Sequence, residues 1–402
     1  MTSLKFTAAE KSLLLALGAI QFTHIVDFMI VMPLGPQLMR IMSIHPEQFS
    51  WLVSAYTFCA GATGVLSAFF LDRIDRKRSL LFFYAGFTIG TLACALSNGF
   101  YQLLLARALT GAFGGVLGSL VFSIVGDVIA PIKRGMATGV IMGAFSVASI
   151  FGVPFSLFLA NHGSWQTPLF VLAGLSAVVG LVIMRVVPPL RTHLQGERSS
   201  PWQFLRTLPS QRRPVLALLL VTIMILGQFS VIPFLSPSLV ANAGLREDQL
   251  PLIYLVGGIV SIISSPLIGR WTDRRGAARV LLIMAPISII PFILITHMGA
   301  VGVFGVLAVC GLFFLCMGGR MVPTMTLATG SVLPQNRGMF MSLSSALQQF
   351  AAATAAFIAG QVVVKTSDGH LEHYNRVGFF AVTLTLFAIG IVYLLRHEAS
   401  QV

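Results

Sequence analysis

The chain has 402 residues, of which 56% are hydrophobic and 10% charged, with a mean hydropathy of +0.88. That much apolar surface cannot be hidden in a water-soluble globule and requires lipid. The formal charge of +13 does not indicate nucleic acid, because the basic residues punctuate apolar runs instead of clustering on a folded domain.

Residues 1 to 11 form a short polar lead to an apolar run over 12–34. A signal peptide would show a shorter apolar core and a small-residue cleavage site, so this reads as an uncleaved first span. Runs of spanning length follow at about 50–70, 79–98, 101–126, 136–160 and 167–187. Residues 188–213 then hold Pro188, Pro189, Pro201 and Pro209 among basic side chains and read as a linker. A second set of spans falls at about 214–235, 250–269, 280–298, 302–330, 339–363 and 377–395. The expected organisation is a first half over 1–187, the linker, and a second half over 214–402.

Cys59, Cys94, Cys310 and Cys316 lie inside spans with no CxxC spacing, so neither a disulfide framework nor a metal site is indicated. His370 and His373 flank Glu372 without the HExxH order of a zinc motif.

The charged stretch from Ala68 to Arg78, AFFLDRIDRKR, returns at Gly269 to Arg279 as GRWTDRRGAAR. Aligning Asp72 with Asp273 sets an offset of 201 residues, which also brings Pro36 onto Pro237 and Phe28 onto Phe229. A repeat of this size, in a chain whose charges are confined to short loops, is the signature of an internally duplicated membrane carrier. Both loops resemble motif A of the major facilitator superfamily. The second keeps Gly269, Asp273, Arg274, Gly276 and Arg279, whereas the first has Ala68 and Asp75 where glycines are usual. The resemblance implies an all-α membrane protein: twelve transmembrane helices in two pseudo-symmetric six-helix bundles, monomeric, in a bacterial cytoplasmic membrane. It also implies a gate in which Asp72, Arg73 and Arg76 work with Asp127.

Counting Lys and Arg by side puts twenty on the face of the motif A loops and the termini. Only Arg40, Arg246, Lys365 and Arg376 fall on the other face, and Arg107 and Arg320 lie within spans. The richer face is expected to be cytoplasmic, with both termini inside.

A charge at a helix centre costs about 2.5 to 3.5 kcal/mol on insertion scales and calls for a compensating role. Asp27 is the one carboxylate well inside a span. Gln21, His24 and Asp27 recur every three residues and share a helix face. They form either a structural hydrogen-bond stripe or a proton or substrate site, and the stretch DFMIVMPLGP resembles the first helix of drug:proton antiporters. Arg107 opens LARALTGAFGG, which resembles motif B of the same antiporters, at about the depth of Asp27; the resemblance implies proton coupling. The alternative is an arginine that binds carbonyls. The Gly111, Gly114, Gly115 and Gly118 series contains two GxxxG spacings and reads as close helix packing. SIFGVPFS resembles motif C through Gly152 and Pro154, although Ser156 stands where a glycine is usual; motif C marks antiporters, and its alternative is a simple kink.

In the second half, Gln228 takes the place of Asp27, and Arg320, Gln348 and Gln349 are the other polar groups within spans. With Gln21 and Tyr56 these are candidates for a substrate cavity. Three roles stand open for Arg320: attracting an anionic group of a substrate, neutralisation by Asp27, or binding backbone carbonyls. The expected function is proton-driven export of a drug-like, amphiphilic or metabolite-sized small molecule, with no cofactor beyond the proton gradient. Uptake of a small solute by symport is the alternative. An intramembrane enzyme would need a GxSG serine or HExxH at membrane depth, and neither is present.

Overall fold

The structure, a computed structural model, describes residues 6–71, 74–190, 206–333 and 337–399. Among them the chain is helical throughout except for one two-stranded antiparallel hairpin, Val364–Lys365 paired with Leu371–Glu372. The helices in chain order are α1 (Ala8–Ile30), α2 (Gly35–Ile41), α3 (Pro46–Phe70), α4 (Arg76–Leu96), α5 (Phe100–Gly114) and α6 (Leu117–Val128). They continue with α7 (Arg134–Val147), α8 (Val153–His162), α9 (Thr167–Val186), α10 (Arg212–Ala241), α11 (Leu250–Arg275) and α12 (Ala277–Ile287). The last are α13 (Ile289–Thr296), α14 (Gly302–Thr329), α15 (Arg337–Val362) and α16 (Tyr374–Ala399).

Consecutive pairs merge into longer rods, α5 with α6, α7 with α8 and α12 with α13, so that eleven helices among the described residues are long and apolar enough to cross a membrane. The helix α15 has comparable length, 26 residues, but carries Ser342, Ser344, Ser345, Gln348 and Gln349. Lipid solvation is visible in the exposure pattern: Phe304 is 88% exposed and Leu105 71%, while Thr23, Asp27, Thr110 and Arg107 are buried. A soluble protein would invert this arrangement.

The chain divides into two compact units. One comprises residues 1–30 and 55–199, hence α1, most of α3 and α4 to α9; its core joins Leu17, Ile20, Phe87, Leu120 and Ile183. The other comprises residues 31–54 and 200–402. In it α2 and the start of α3 pack on the later helices. The space above Gly35 is closed by Phe49 and Pro237, Arg40 pairs with Glu247, and the Gln361 amide donates to Glu47 at 3.1 Å. The compact units therefore do not follow the sequence halves, because the 31–54 segment joins the second. Residues 191–205 of the expected linker lie outside the described residues.

The two copies of the charged loop turn by different means. In the second, Gly276 has φ +83 and ψ 139, a conformation essentially reserved for glycine. In the first, Asp75 sits at φ −54 and caps α4, accepting from the backbone N–H of Lys77 and Arg78. The missing glycine is thus replaced by an N-cap that satisfies two free donors.

Candidate functional site

The first unit converges on Asp27. Its carboxylate is fully enclosed: Oδ2 accepts from the Arg107 guanidinium at 2.8 Å and Oδ1 accepts from the Thr91 hydroxyl at 3.0 Å. The same Arg107 nitrogen reaches the Asp27 carbonyl at 3.3 Å. The guanidinium lies over the Tyr56 ring, 4.2 Å from its centroid, and Phe28 leans on that ring from α1. Four helices, α1, α3, α4 and α5, therefore meet at one buried ion pair. A pair so enclosed keeps its charges only because each satisfies the other and the remaining lone pairs find donors.

Glycines make this convergence possible. A Cβ on Gly111 would stand 2.2 Å from the Tyr56 carbonyl oxygen, and one on Gly115 2.3 Å from that of Ala60, so these two let α5 lie directly against α3. Gly114 faces Tyr56 of α3 and His24 of α1, and Gly118 faces Gln21 of α1, side chains instead of backbone. The GxxxG spacings thus serve two different interfaces.

The segment with Gly152 and Pro154 comes to the same place. A π-helical turn over Ala148–Gly152 separates α7 from α8, relieving the carbonyl that the Pro154 ring would otherwise strike. A Cβ on Gly152 would fall 2.3 Å from Val26 Cγ2, the neighbour of Asp27. This glycine is what lets α1 approach the turn.

Of the other expected site residues, His24 packs edge-on against Phe87, and Gln21 and His24 are half-buried. Arg76 is buried with Nε 3.4 Å from Asp127 Oδ2. Asp72 and Arg73 lie outside the described residues. In the second copy Asp273 and Arg274 are exposed, as is Gly276, while Gly269 is half-buried on α11.

Arg320 is bonded wholly within the second unit. It is buried in the second unit, where its guanidinium donates to Ser288 Oγ at 3.2 Å, Thr385 Oγ1 at 3.4 Å and the Met224 carbonyl at 3.2 Å, and lies over the Phe292 ring. One of these bonds, to the Met224 carbonyl, is of the carbonyl-binding kind, the other two go to hydroxyls, and Asp27 is held by Arg107. Gln228 and Gln349 are half-buried, and Gln348 donates back to Ser344 on its own helix. These three belong to the second unit, so the candidate cavity residues are split between the units.

Sequence reasoning missed Thr91, Ser288 and Thr385. Hydroxyls in apolar helices usually bond back to their own turn, as Thr88 does to the Tyr84 carbonyl, and nothing local distinguishes the ones that reach across.

The family model of the Major Facilitator Superfamily matches residues 17–356 and 217–401. The chain belongs to the major facilitator superfamily. The MFS-type transporter YceJ of Bacillus subtilis (strain 168) is 25% identical over 377 residues, 92% of each chain. A probable sugar efflux transporter of Helicobacter pylori (strain G27) is 26% identical over 222 residues, 54% of this chain and 55% of that one. Among solved structures, a bacterial homolog of the human lysosomal transporter Spinster, inward-facing and occupied, superposes with a TM-score of 0.76 at 16% identity over 98% of both chains. The nucleoside transporter NupG gives 0.75 at 13% identity over 95% of this chain and 99% of its own. For these two the likeness is one of fold.

Proposed function

We propose that this superfamily member is a proton-coupled exporter of small molecules that works by alternating access in a bacterial cytoplasmic membrane. In this reading α15 is the twelfth span, the helices form two six-helix bundles, and both termini are cytoplasmic, in keeping with the distribution of Lys and Arg. The observation that carries the reading is the enclosed Asp27–Arg107 pair.

A proton added to Asp27 removes its charge and turns an acceptor into a donor, leaving Arg107 buried without a counter-ion. Breaking a buried pair in this way costs about 3–5 kcal/mol, so the protonated state favours any arrangement that rehydrates or re-partners the arginine. Proton occupancy and the packing of α1 against α5 are thereby linked. A membrane potential of 100 mV supplies about 2.3 kcal/mol per proton, enough for roughly fifty-fold accumulation, so one carboxylate suffices.

Gly152 and Pro154 favour export over uptake, and the sugar efflux name of the Helicobacter relatives points to a hydroxylated solute. The test is Asp27→Asn in proteoliposomes. We expect substrate exchange down its gradient to continue, while uphill transport fails and pH ceases to alter it. Full uphill transport by the variant would refute the assignment.

A further inference from the structure

Beside the ion pair lies a group of polar atoms that the coupling chemistry does not use. The Tyr56 hydroxyl belongs to a fully buried side chain and has no hydrogen-bond partner among the described residues; the buried atoms His24 Nε2, Gln21 Oε1 and Arg107 Nε likewise have none there. A buried donor or acceptor left unsatisfied costs about 1–3 kcal/mol. Here two of them, on Tyr56 and His24, meet at one spot.

That spot is defined by Gly114. A Cβ there would stand 2.8 Å from the Tyr56 hydroxyl and 3.2 Å from His24 Nε2. The two atoms are thus at most about 6 Å apart, the span of two hydrogen bonds of about 2.8 Å through a single oxygen. One turn away, a Cβ on Gly118 would stand 3.9 Å from Gln21 Nε2. Unlike Gly111 and Gly115, whose missing Cβ admits a neighbouring backbone, Gly114 has side-chain atoms of Tyr56 and His24 as the nearest neighbours of a Cβ.

We propose that Tyr56 and His24, with Gly114 as floor and Gln21 at the margin, form a binding site for one neutral hydroxyl oxygen next to the Asp27–Arg107 pair. A phenol, an imidazole and an amide each donate and accept, which matches an O–H group that does both. A cation would sit beside Arg107, an anion beside Asp27, and an apolar group would leave every one of these atoms unpaired. The oxygen belongs either to a water or to a hydroxyl of the transported solute. Only the second source rests on the transport reading above.

The test uses the Tyr56→Phe variant of the full chain, which keeps the ring and its stacking on Arg107. Melting temperatures are measured for purified wild type and variant, alone and with lactose, D-galactose or D-mannitol. Deleting a hydroxyl that had no partner removes an unsatisfied dipole and raises the melting temperature; deleting one that holds an oxygen lowers it, here by roughly 1–3 °C. A drop with equal sugar response in both proteins identifies water. An apparent sugar affinity 5- to 10-fold weaker in the variant than in wild type identifies a substrate hydroxyl, whichever way the sugar-free melting temperature moves. An unchanged or raised melting temperature together with equal sugar response would overturn the site. If wild type shows no sugar-driven proton uptake in proteoliposomes, the sugar reading of the substrate fails separately, and the sign of the sugar-free shift still decides the site.

Discussion

Two buried arginines of this chain carry opposite expectations. Arg107 neutralises Asp27, so Arg107→Met leaves a carboxylate enclosed without a counter-ion and is expected to destabilise by about 3–5 kcal/mol, read by thermal or denaturant unfolding in detergent. Arg320 has no carboxylate within ion-pair distance among the described residues. Ser288 and Thr385 keep their backbone acceptors, Ala285 and Ala381, without it, and only the Met224 carbonyl loses a donor. Arg320→Met is therefore expected to change stability by no more than about 1 kcal/mol, since a buried cation is exchanged for apolar volume. A loss comparable to that of Arg107→Met would mean that Arg320 neutralises an acid after all. Asp27 and Arg107 were each legible as candidates because charges in lipid are scarce, but their pairing was not settled; Thr91 was not legible, because a threonine's partner is a matter of which helix stands opposite.

Among elements, the contact of α1 with the π-helical turn depends on one missing methyl. Gly152→Ala drives a Cβ into Val26, at a cost of about 1–3 kcal/mol for overpacking. The double variant Gly152→Ala, Val26→Ala should recover most of that loss, and failure to recover would place the cause in the turn instead of the contact. The two charged loops offer a second contrast. Gly276→Ala forces a side chain into a conformation reserved for glycine, costing about 1–3 kcal/mol, and Asp75→Ala removes a cap worth about 1 kcal/mol. Aspartate at Asp75 reads in sequence as a departure from the glycine pattern; its capping bonds show why the departure is tolerated.

At the scale of the whole molecule, duplication has left unequal halves. Under the 201-residue offset Asp27 corresponds to Gln228 and Arg107 to Ala308, while Arg76 and Asp127 correspond to Ala277 and Ala328. Both ion pairs thus exist in one copy alone. The Arg76–Asp127 pair is only partly enclosed, and exchanging its charges should retain it. We expect Arg76→Asp and Asp127→Arg each to reduce transport, and the double variant to regain a measurable share of it with folding verified in all three. No recovery would show that each side chain acts through other neighbours.

Membrane residence, the positions of the long helices, the internal repeat and the candidacy of Asp27 and Arg107 followed from the sequence alone; their pairing came from the structure. The physical reasons are local or compositional: lipid requires long apolar helices, and scarce charges must find one another. Tertiary structure decided which hydroxyls cross between helices, that Arg320 is held by Ser288, Thr385 and a carbonyl, and that residues 31–54 pack with the later helices. It also separated the glycines that admit a backbone from the one that faces Tyr56 and His24. Each of these depends on which surfaces stand opposite across a helix contact, and in helices apolar on every side no sequence period marks the inward face.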